Sequence, residues 1–339
     1  MSTINDGFKT VDYTFMNELM PRLPSFLQDL GLFSNMQKFY HTNTTARLER
    51  VIDGVDRIQA QKRGGNRQKA GREKAMVRSI DAPYFTMDSL FTADDIQDYK
   101  EYGTTDTPMS MQSRMDRTRG RIATDWAVHK ERGRYAALKG FSYSPGDSDF
   151  EYDYASLFEV SSLKKAELEI DFSDANTDPR VTINNYFRPH LAKYAGNNAT
   201  GFKLLVLCGN GFFNKVISHD TTKEAYGKYP SESEPFRKRL GGDSINQSWE
   251  SMNLTFLEDS MGQQLGEIPN DGFILVPLGI EGMFQEHYCP ARHKIYANKP
   301  ALELYQFLLE SDREDMFETE SSHLMVNTRP ELIGTGKAK

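Results

Sequence analysis

The sequence predicts an α+β fold with more than one lobe, and three observations carry that prediction. Thr107 to Lys139 can form one uninterrupted helix, two strand-like runs between 46 and 90 flank a glycine-rich basic loop, and a helix, a buried strand and a second helix succeed one another between 178 and 226. The chain has 339 residues, more than one ordinary domain needs.

Taken in order, residues 1–45 read as an arm with a short helix. Pro21 and Pro24 break any long helix, while Phe26, Leu27, Leu30, Leu32 and Phe33 need an apolar surface to lie on. The arm is therefore expected to borrow that surface from another copy. Residues 46–91 read as an extended hairpin. Leu48, Val51, Ile52, Val55 and Ile58 line its ascending side, and Met76, Val77, Ile80, Tyr84 and Phe85 its descending side. Its tip, Gln61 to Lys74, is too polar and glycine-rich for a core and too long for a tight turn, so it projects.

A short acidic helix-like segment, Asp94 to Lys100, leads to the long helix at 107–139. Pro108 is tolerated in a first turn and Gly140 is placed to end the helix. At 1.5 Å per residue it is roughly 50 Å long, a spine for whatever packs on it. Met111, Met115, Thr118, Ile122, Trp126, His129, Gly133 and Ala136 form one stripe at helical spacing, and Arg114, Arg117, Arg121 and Arg132 fall on another face. Gly120 and Gly133 weaken a helix, so a bend or a close neighbour is expected at one of them.

Phe141 to Phe172 reads as polar, acidic and strand-like. Asp178-Pro179 opens a helix to Tyr194 with Val181, Ile183, Tyr186, Phe187 and Leu191 facing inward, and Pro189 is expected to kink it or end its first half. Phe202 to Cys208 is a buried strand, followed by the turn Gly209-Asn210-Gly211 and a helix from Phe212 to Tyr226. Residues 227–248 form a loop, Met252 to Leu257 and Gly272 to Pro277 are strand-like, and Leu302 to Leu309 and Met316 to Leu332 close the chain. No internal repeat is present at a period of 20 to 50 residues.

Charge excludes a general nucleic-acid binder, because the net balance is −7. The signs are separated, however. Residues 62–78 hold Lys62, Arg63, Arg67, Lys69, Arg72, Lys74 and Arg78 against Glu73 alone. Acids gather at Asp147, Asp149, Glu151 and Asp153 and at Glu310, Asp312, Glu314, Asp315, Glu318 and Glu320. Separated patches of opposite sign suit a chain that meets copies of itself. Cys208 and Cys289 form no close-spaced motif, which points to a reducing compartment. No basic leader with an apolar core and no bilayer-length run occurs, so the chain is expected to stay in solution and off membranes.

Catalytic signals are weak. Gly209-x-Gly211 after a strand resembles a nucleotide fingerprint, but Asn214 holds the third glycine position, and a plain strand-to-helix turn explains it. His287, Cys289 and His293 offer soft ligands without a second Cys/His pair to complete a zinc set. Nucleophile-elbow, phosphate-loop and zincin motifs are missing. No catalytic residue, cofactor or metal is assigned. Arg63-Gly64-Gly65 in the basic loop supplies the alternative reading, a nucleic-acid-binding protein using residues 62–78.

The order of parts resembles the major capsid proteins of tailed bacteriophages, of the Hong Kong 97-type fold, and among them the lambda-type capsid protein E family. The segments that carry the likeness are the arm to Tyr40, the loop Arg47 to Phe91 with its basic tip, and the spine ending Tyr135-Ala136-Ala137-Leu138-Lys139-Gly140. The Asp178-Pro179 helix, the strand Lys203-Leu204-Leu205-Val206-Leu207 with its following helix, and the closing segment Ser321 to Leu332 with Arg329-Pro330 are also similar.

The resemblance implies an extended loop at 46–91 lying over a neighbour and a peripheral domain at 92–176 containing the spine. It further implies an axial domain at 177–300 and a return to the peripheral domain at 301–339. It implies a virion shell protein, not an enzyme, that forms hexamers and pentamers around double-stranded DNA and is assembled in the host cytoplasm. A separate scaffold, a portal and possible decoration proteins are the implied partners. Lys62, Arg63, Arg67, Lys69, Arg72 and Lys74 are the expected contacts to an adjacent subunit, and Arg114, Arg117 and Arg121 the candidates for facing DNA. Lysine–asparagine cross-linking is not expected in this branch.

Overall fold

The computed structural model describes residues 9–12, 26–33, 37–52, 74–95, 97, 110–160, 166–174, 177–194, 203–228, 248–280, 282–311 and 314–339. In chain order the elements are β1 (Lys9–Asp12), α1 (Phe26–Asp29), β2 (Lys38–Tyr40), β3 (Thr45–Ile52), β4 (Lys74–Asp81), β5 (Tyr84–Thr92) and α2 (Met111–Lys139). Next come α3 (Tyr154–Leu157), β6 (Ala166–Ile170), α4 (Pro179–Tyr194), β7 (Lys203–Cys208), α5 (Asn210–Ser218) and α6 (Asp220–Lys228). The chain closes with β8 (Ser248–Ser251), β9 (Leu254–Glu258), α7 (Ser260–Gln264), β10 (Gly272–Leu278), β11 (Phe284–Cys289), β12 (Tyr305–Glu310), β13 (Glu314–Asn327) and β14 (Gly334–Ala338). The expected α+β class holds.

Two six-stranded sheets organise these elements. The first runs β1-β12-β13-β11-β2, with β5 also paired to β13; the second runs β6-β14-β10-β7-β9-β8. β3 and β4 pair with each other in a separate two-stranded ribbon, in antiparallel register from Thr45 opposite Asp81 to Ile52 opposite Lys74. The descending run thus divides at Ala82-Pro83: its first part completes the ribbon and its second, β5, joins the first sheet. Proline lacks the N–H that an unbroken ladder needs.

The spine helix α2 starts at Met111, later than the sequence suggests. Ser110 is its N-cap, accepting a hydrogen bond from Ser113 N at 3.1 Å, which leaves Pro108 ahead of the helix. Gly140 ends it at φ 88°, in the left-handed conformation that suits glycine. Its N-terminal half buries Ile122 and Trp126 against Phe91, Leu304, Leu308 and Phe317, with Met111 and Met115 alongside. The C-terminal half sinks into the main core, where Glu131, Gly133, Arg134, Tyr135, Ala137 and Leu138 are all buried. Gly133 is the close-neighbour glycine, since an added Cβ would lie 3.2 Å from Met325 Cγ.

Other expectations change. Among the described residues of the 141–172 region the one strand is β6; residues 141–160 form turns and the short helix α3, and the acids of the region cap local amides. Asp147 accepts from Asp149 N, Asp153 from Ala155 N and Asp171 from Ser173 N. Of the segment after β5, the described residues form a 3-10 turn at Ala93–Asp95, and the rest of the expected helix-like stretch, apart from residue 97, lies outside the described residues. In α4, Ile183, Phe187 and Leu191 are buried but Val181 and Tyr186 face solvent, a narrower stripe than expected. The helix after β7 breaks at His219 into α5 and α6. The loop at 227–248 lies almost wholly outside the described residues.

The chain's last strand crosses between sheets. β13 closes the first sheet, but β14 inserts between β6 and β10 of the second. It fits there because Gly334 has no side chain: an added Cβ would lie 1.9 Å from Cε1 of the fully buried Phe187. Gly334→Ala is expected to destabilise the chain by about 1–3 kcal/mol, read as a lower midpoint in denaturant unfolding. An unchanged midpoint would show that β14 does not occupy this position.

Candidate assembly surfaces

The charged groups divide between those buried inside the body and those left at its surface. Inside, Arg134 of α2 lies between two carboxylates. Its Nη1 donates to Glu131 at 2.8 Å and its Nε to Glu286 of β11 at 2.8 Å, with all three side chains no more than 4% exposed. Burial works against the Arg134 charge, but Glu286 and Glu131 outweigh it and keep the group protonated. Glu131 also accepts from Leu27 N at 2.8 Å, and Arg134 Nη2 donates to Gln28 at 3.1 Å.

These bonds correct the expectation for the arm. Leu27, Leu32 and Phe33 are buried in the chain's own core rather than on a neighbour. β1 likewise pairs with β12 of its own chain. Beside this cluster, Glu303 receives Lys38 at 2.7 Å and Lys130 at 3.3 Å. Burial alone would raise its pKa, yet the two lysines hold it down at about 2. The C-terminal end of the spine is tied across to the turn after β9. Tyr135 donates to Asp259 at 2.6 Å, and Lys139 to Glu267 at 2.6 Å.

The hairpin's base is locked from two sides. Arg50 of β3, 4% exposed, donates to Glu331 at 2.6 Å, and the same carboxylate oxygen accepts from Arg329 at 3.1 Å. Arg78 of β4 pairs with Glu159 and donates to the Leu157 carbonyl. Ala46, Leu48 and Ile80 belong to the main core. The ribbon is thus rooted rather than hinged at residues 45–52 and 74–81.

Of the expected contact residues, Lys62, Arg63, Arg67, Lys69 and Arg72 lie outside the described residues, and Lys74 opens β4 opposite Ile52. On the spine, Arg117 and Arg121 are exposed, while Arg114 lies 3.5 Å from Asp95. Arg114 is therefore partly engaged within the chain. The acidic turn is open, with Asp147, Asp149 and Glu151 exposed. On the other acidic strand Asp88 of β5 sits directly opposite Glu318 of β13. Burial, then Asp88 and Glu320, raises the pKa of Glu318.

The Gly209-Asn210-Gly211 turn has no room for a phosphate. An added Cβ on Gly209 would lie 2.3 Å from the Pro269 carbonyl oxygen, and Asn270 accepts from the N–H groups of Gly211 and Phe212. The helix-start amides are thereby occupied by the chain itself. His287 and Cys289 are buried in β11, and among the described residues no group of three His, Cys, Asp or Glu side chains is placed to hold a metal. No described helix is long and apolar enough to cross a membrane.

The chain has counterparts among known proteins over nearly its whole length. The model of the family described as "Phage major capsid protein E" matches residues 10–338. The chain belongs to that family. The major capsid protein of Pseudomonas phage KPP10 is 25% identical over 353 residues, covering 99% of this chain and 98% of that one. The mature capsid of bacteriophage PhiM1 superposes with a TM-score of 0.50 at 11% identity, covering 100% of this chain and 90% of that chain. That likeness shows the fold, which is of the Hong Kong 97 type. Capsid protein E is a structural capsid family, not an enzyme family.

For this capsid protein E chain, sequence reasoning missed the groups that fix the body. Glu131 and Arg134 received no role there, and nothing local marks Glu286 as the partner of Arg134 or Glu331 as the partner of Arg50. The one available signal was the spacing of Glu131 and Arg134, three residues apart on a helix that the stripe already places against a sheet.

Buried histidines set the acid response. His129 of α2 packs with its ring centroid 5.3 Å from that of His323 of β13 and 4.3 Å from Phe85, and His41 Nε2 lies 2.9 Å from His287 Nδ1. Burial, with Lys130 and Arg132, lowers His129 to about 4; burial and His41 lower His287 to about 3; and His323 is also lowered. In the unfolded chain these groups titrate near 6.5, so on acidification the unfolded state takes up protons first. Asp259, raised by burial to about 6, and Glu318, also raised, act in the opposite sense but are outnumbered by the lowered histidines. Unfolding free energy is therefore expected to fall as the pH drops from about 6.5 to about 4, and His129→Phe should flatten that slope in denaturant titrations. An identical slope in the variant would contradict the assignment.

Proposed function

We propose that many copies of this chain close, as hexamers and pentamers, into the icosahedral head shell that encloses the double-stranded DNA of a tailed phage. The observation that carries this reading is the family match across residues 10–338. A self-contained body with a rooted hairpin supports it, since β3 and β4 pair with no third strand among the described residues. The chain is part of the virion. In this reading it assembles in the host cytoplasm on a separate scaffold, joins a portal and offers its outer surface to decoration proteins.

The basic tip, Lys62 to Lys74, docks on acidic surface of an adjacent copy. Residues 147–153 and 310–320 are the two acidic segments available. The second carries like charges directly opposite one another, Asp88 against Glu318, an arrangement that is unfavourable until a cation arrives. Reversing both Lys69→Glu and Arg72→Glu should abolish shell formation, seen by electron microscopy, while leaving the unassembled chain soluble and folded. Normal shells from that variant would refute the docking.

The exposed part of the spine's arginine face, Arg117 and Arg121, meets packaged DNA through phosphates without sequence preference. Replacing both with alanine is expected to leave empty-shell assembly intact and to reduce retention of full-length DNA. Unchanged retention, measured as the DNA length recovered from particles, would count against this role.

A further inference from the structure

Strands β8 and β9 end the second sheet and are joined by two residues only, Met252 and Asn253, since Ser251 pairs with Leu254. Both linking residues have positive φ, 55° and 63°. This is the two-residue hairpin turn that asparagine, aspartate and glycine ordinarily occupy. Asn253 suits it and Met252 does not. A methionine in left-handed backbone is strained, and Met252 is 49% exposed, so the folded chain regains little by burying it. The turn is nevertheless fixed from two sides. The Asn253 carbonyl accepts from Leu204 N at 3.2 Å, and the Met252 carbonyl accepts from Arg188 Nη2 at 3.3 Å. Strain of this kind persists only where its surroundings over-determine it.

The same corner has a cationic border. Arg188 of α4 is exposed, and among the described residues its guanidinium meets neutral oxygens, the Asn184 side chain at 2.7 Å and the Met252 carbonyl. Val181, seven residues earlier on the same helix, is a further exposed apolar group at 38%. We propose that this corner is a contact between copies: a second copy of the chain buries Met252 and supplies a carboxylate to Arg188. Charge favours that occupant, because the chain holds 48 acidic against 41 basic residues and leaves acids such as Asp147, Asp149 and Glu151 exposed. The inference rests on the shell reading given above.

Met252→Asn keeps the left-handed turn and removes the apolar side chain. The unassembled variant is expected to melt about 1–3 °C higher than the parent. The concentration it needs to form shells should rise by about tenfold or more, as for one lost methionine contact per copy. Met252→Leu should assemble like the parent, and Arg188→Gln should raise the threshold while making it less dependent on salt. Met252→Asn shells forming at the parent's concentration would overturn the inference and leave the shell reading standing. A variant that assembles poorly and also melts lower has lost its fold rather than a contact, and overturns it too, as does one that closes shells normally but loses DNA. A parent chain that forms no shell with its scaffold defeats the shell reading instead.

Discussion

The structure depends on one buried guanidinium. Arg134 sits between Glu131 on its own helix and Glu286 on β11, and through Gln28 and the Leu27 amide the same cluster fastens the helical part of the N-terminal segment. Three elements distant in sequence are thereby held by charges that have left water. Removing one partner from such a group strands the other and is strongly unfavourable, about 3–5 kcal/mol in comparable cases. The geometry of the body is accordingly specified by polar bonds as well as by apolar packing.

A subunit that closes a shell needs this division of labour. Contacts made within the chain must survive while contacts between copies form, and the two kinds are segregated here. Buried pairs (Arg134 with Glu286, Arg50 with Glu331, Tyr135 with Asp259) join elements of one body. Exposed charge is concentrated at the 147–151 turn and at the spine's Arg117 and Arg121. The spine connects the two regions: its N-terminal half packs on the first sheet and its C-terminal end is bonded to the turn after β9 beside the second.

Much of the architecture was legible in the sequence because it follows from local rules. The helical stripe from Met111 to Gly133, the Gly140 stop, the ribbon strands at 45–52 and 74–81 and the strand at 203–208 are each set by spacing, capping or β-branched and apolar runs. What was not legible came from partners far along the chain. Glu131 and Arg134 carried no signal of a buried role because Glu286 lies more than 150 residues away. The arm looked unsatisfied because the core that receives Leu27 and Phe33 is built by residues that follow it. The acids of 141–172 looked like strand positions because their capping bonds exist only once the turns have formed. β14 crossed to the second sheet for a reason visible only in space, the room that Gly334 leaves for Phe187.

Residues 26–33 of the N-terminal segment pack on their own subunit before any shell exists. Amide hydrogen exchange at Leu27, whose N–H donates to buried Glu131, tests this most directly when the unassembled chain is compared with assembled shells. Strong protection is expected in both states. Rapid exchange in the unassembled chain, with protection gained only in shells, would contradict it and return the segment to a neighbouring copy.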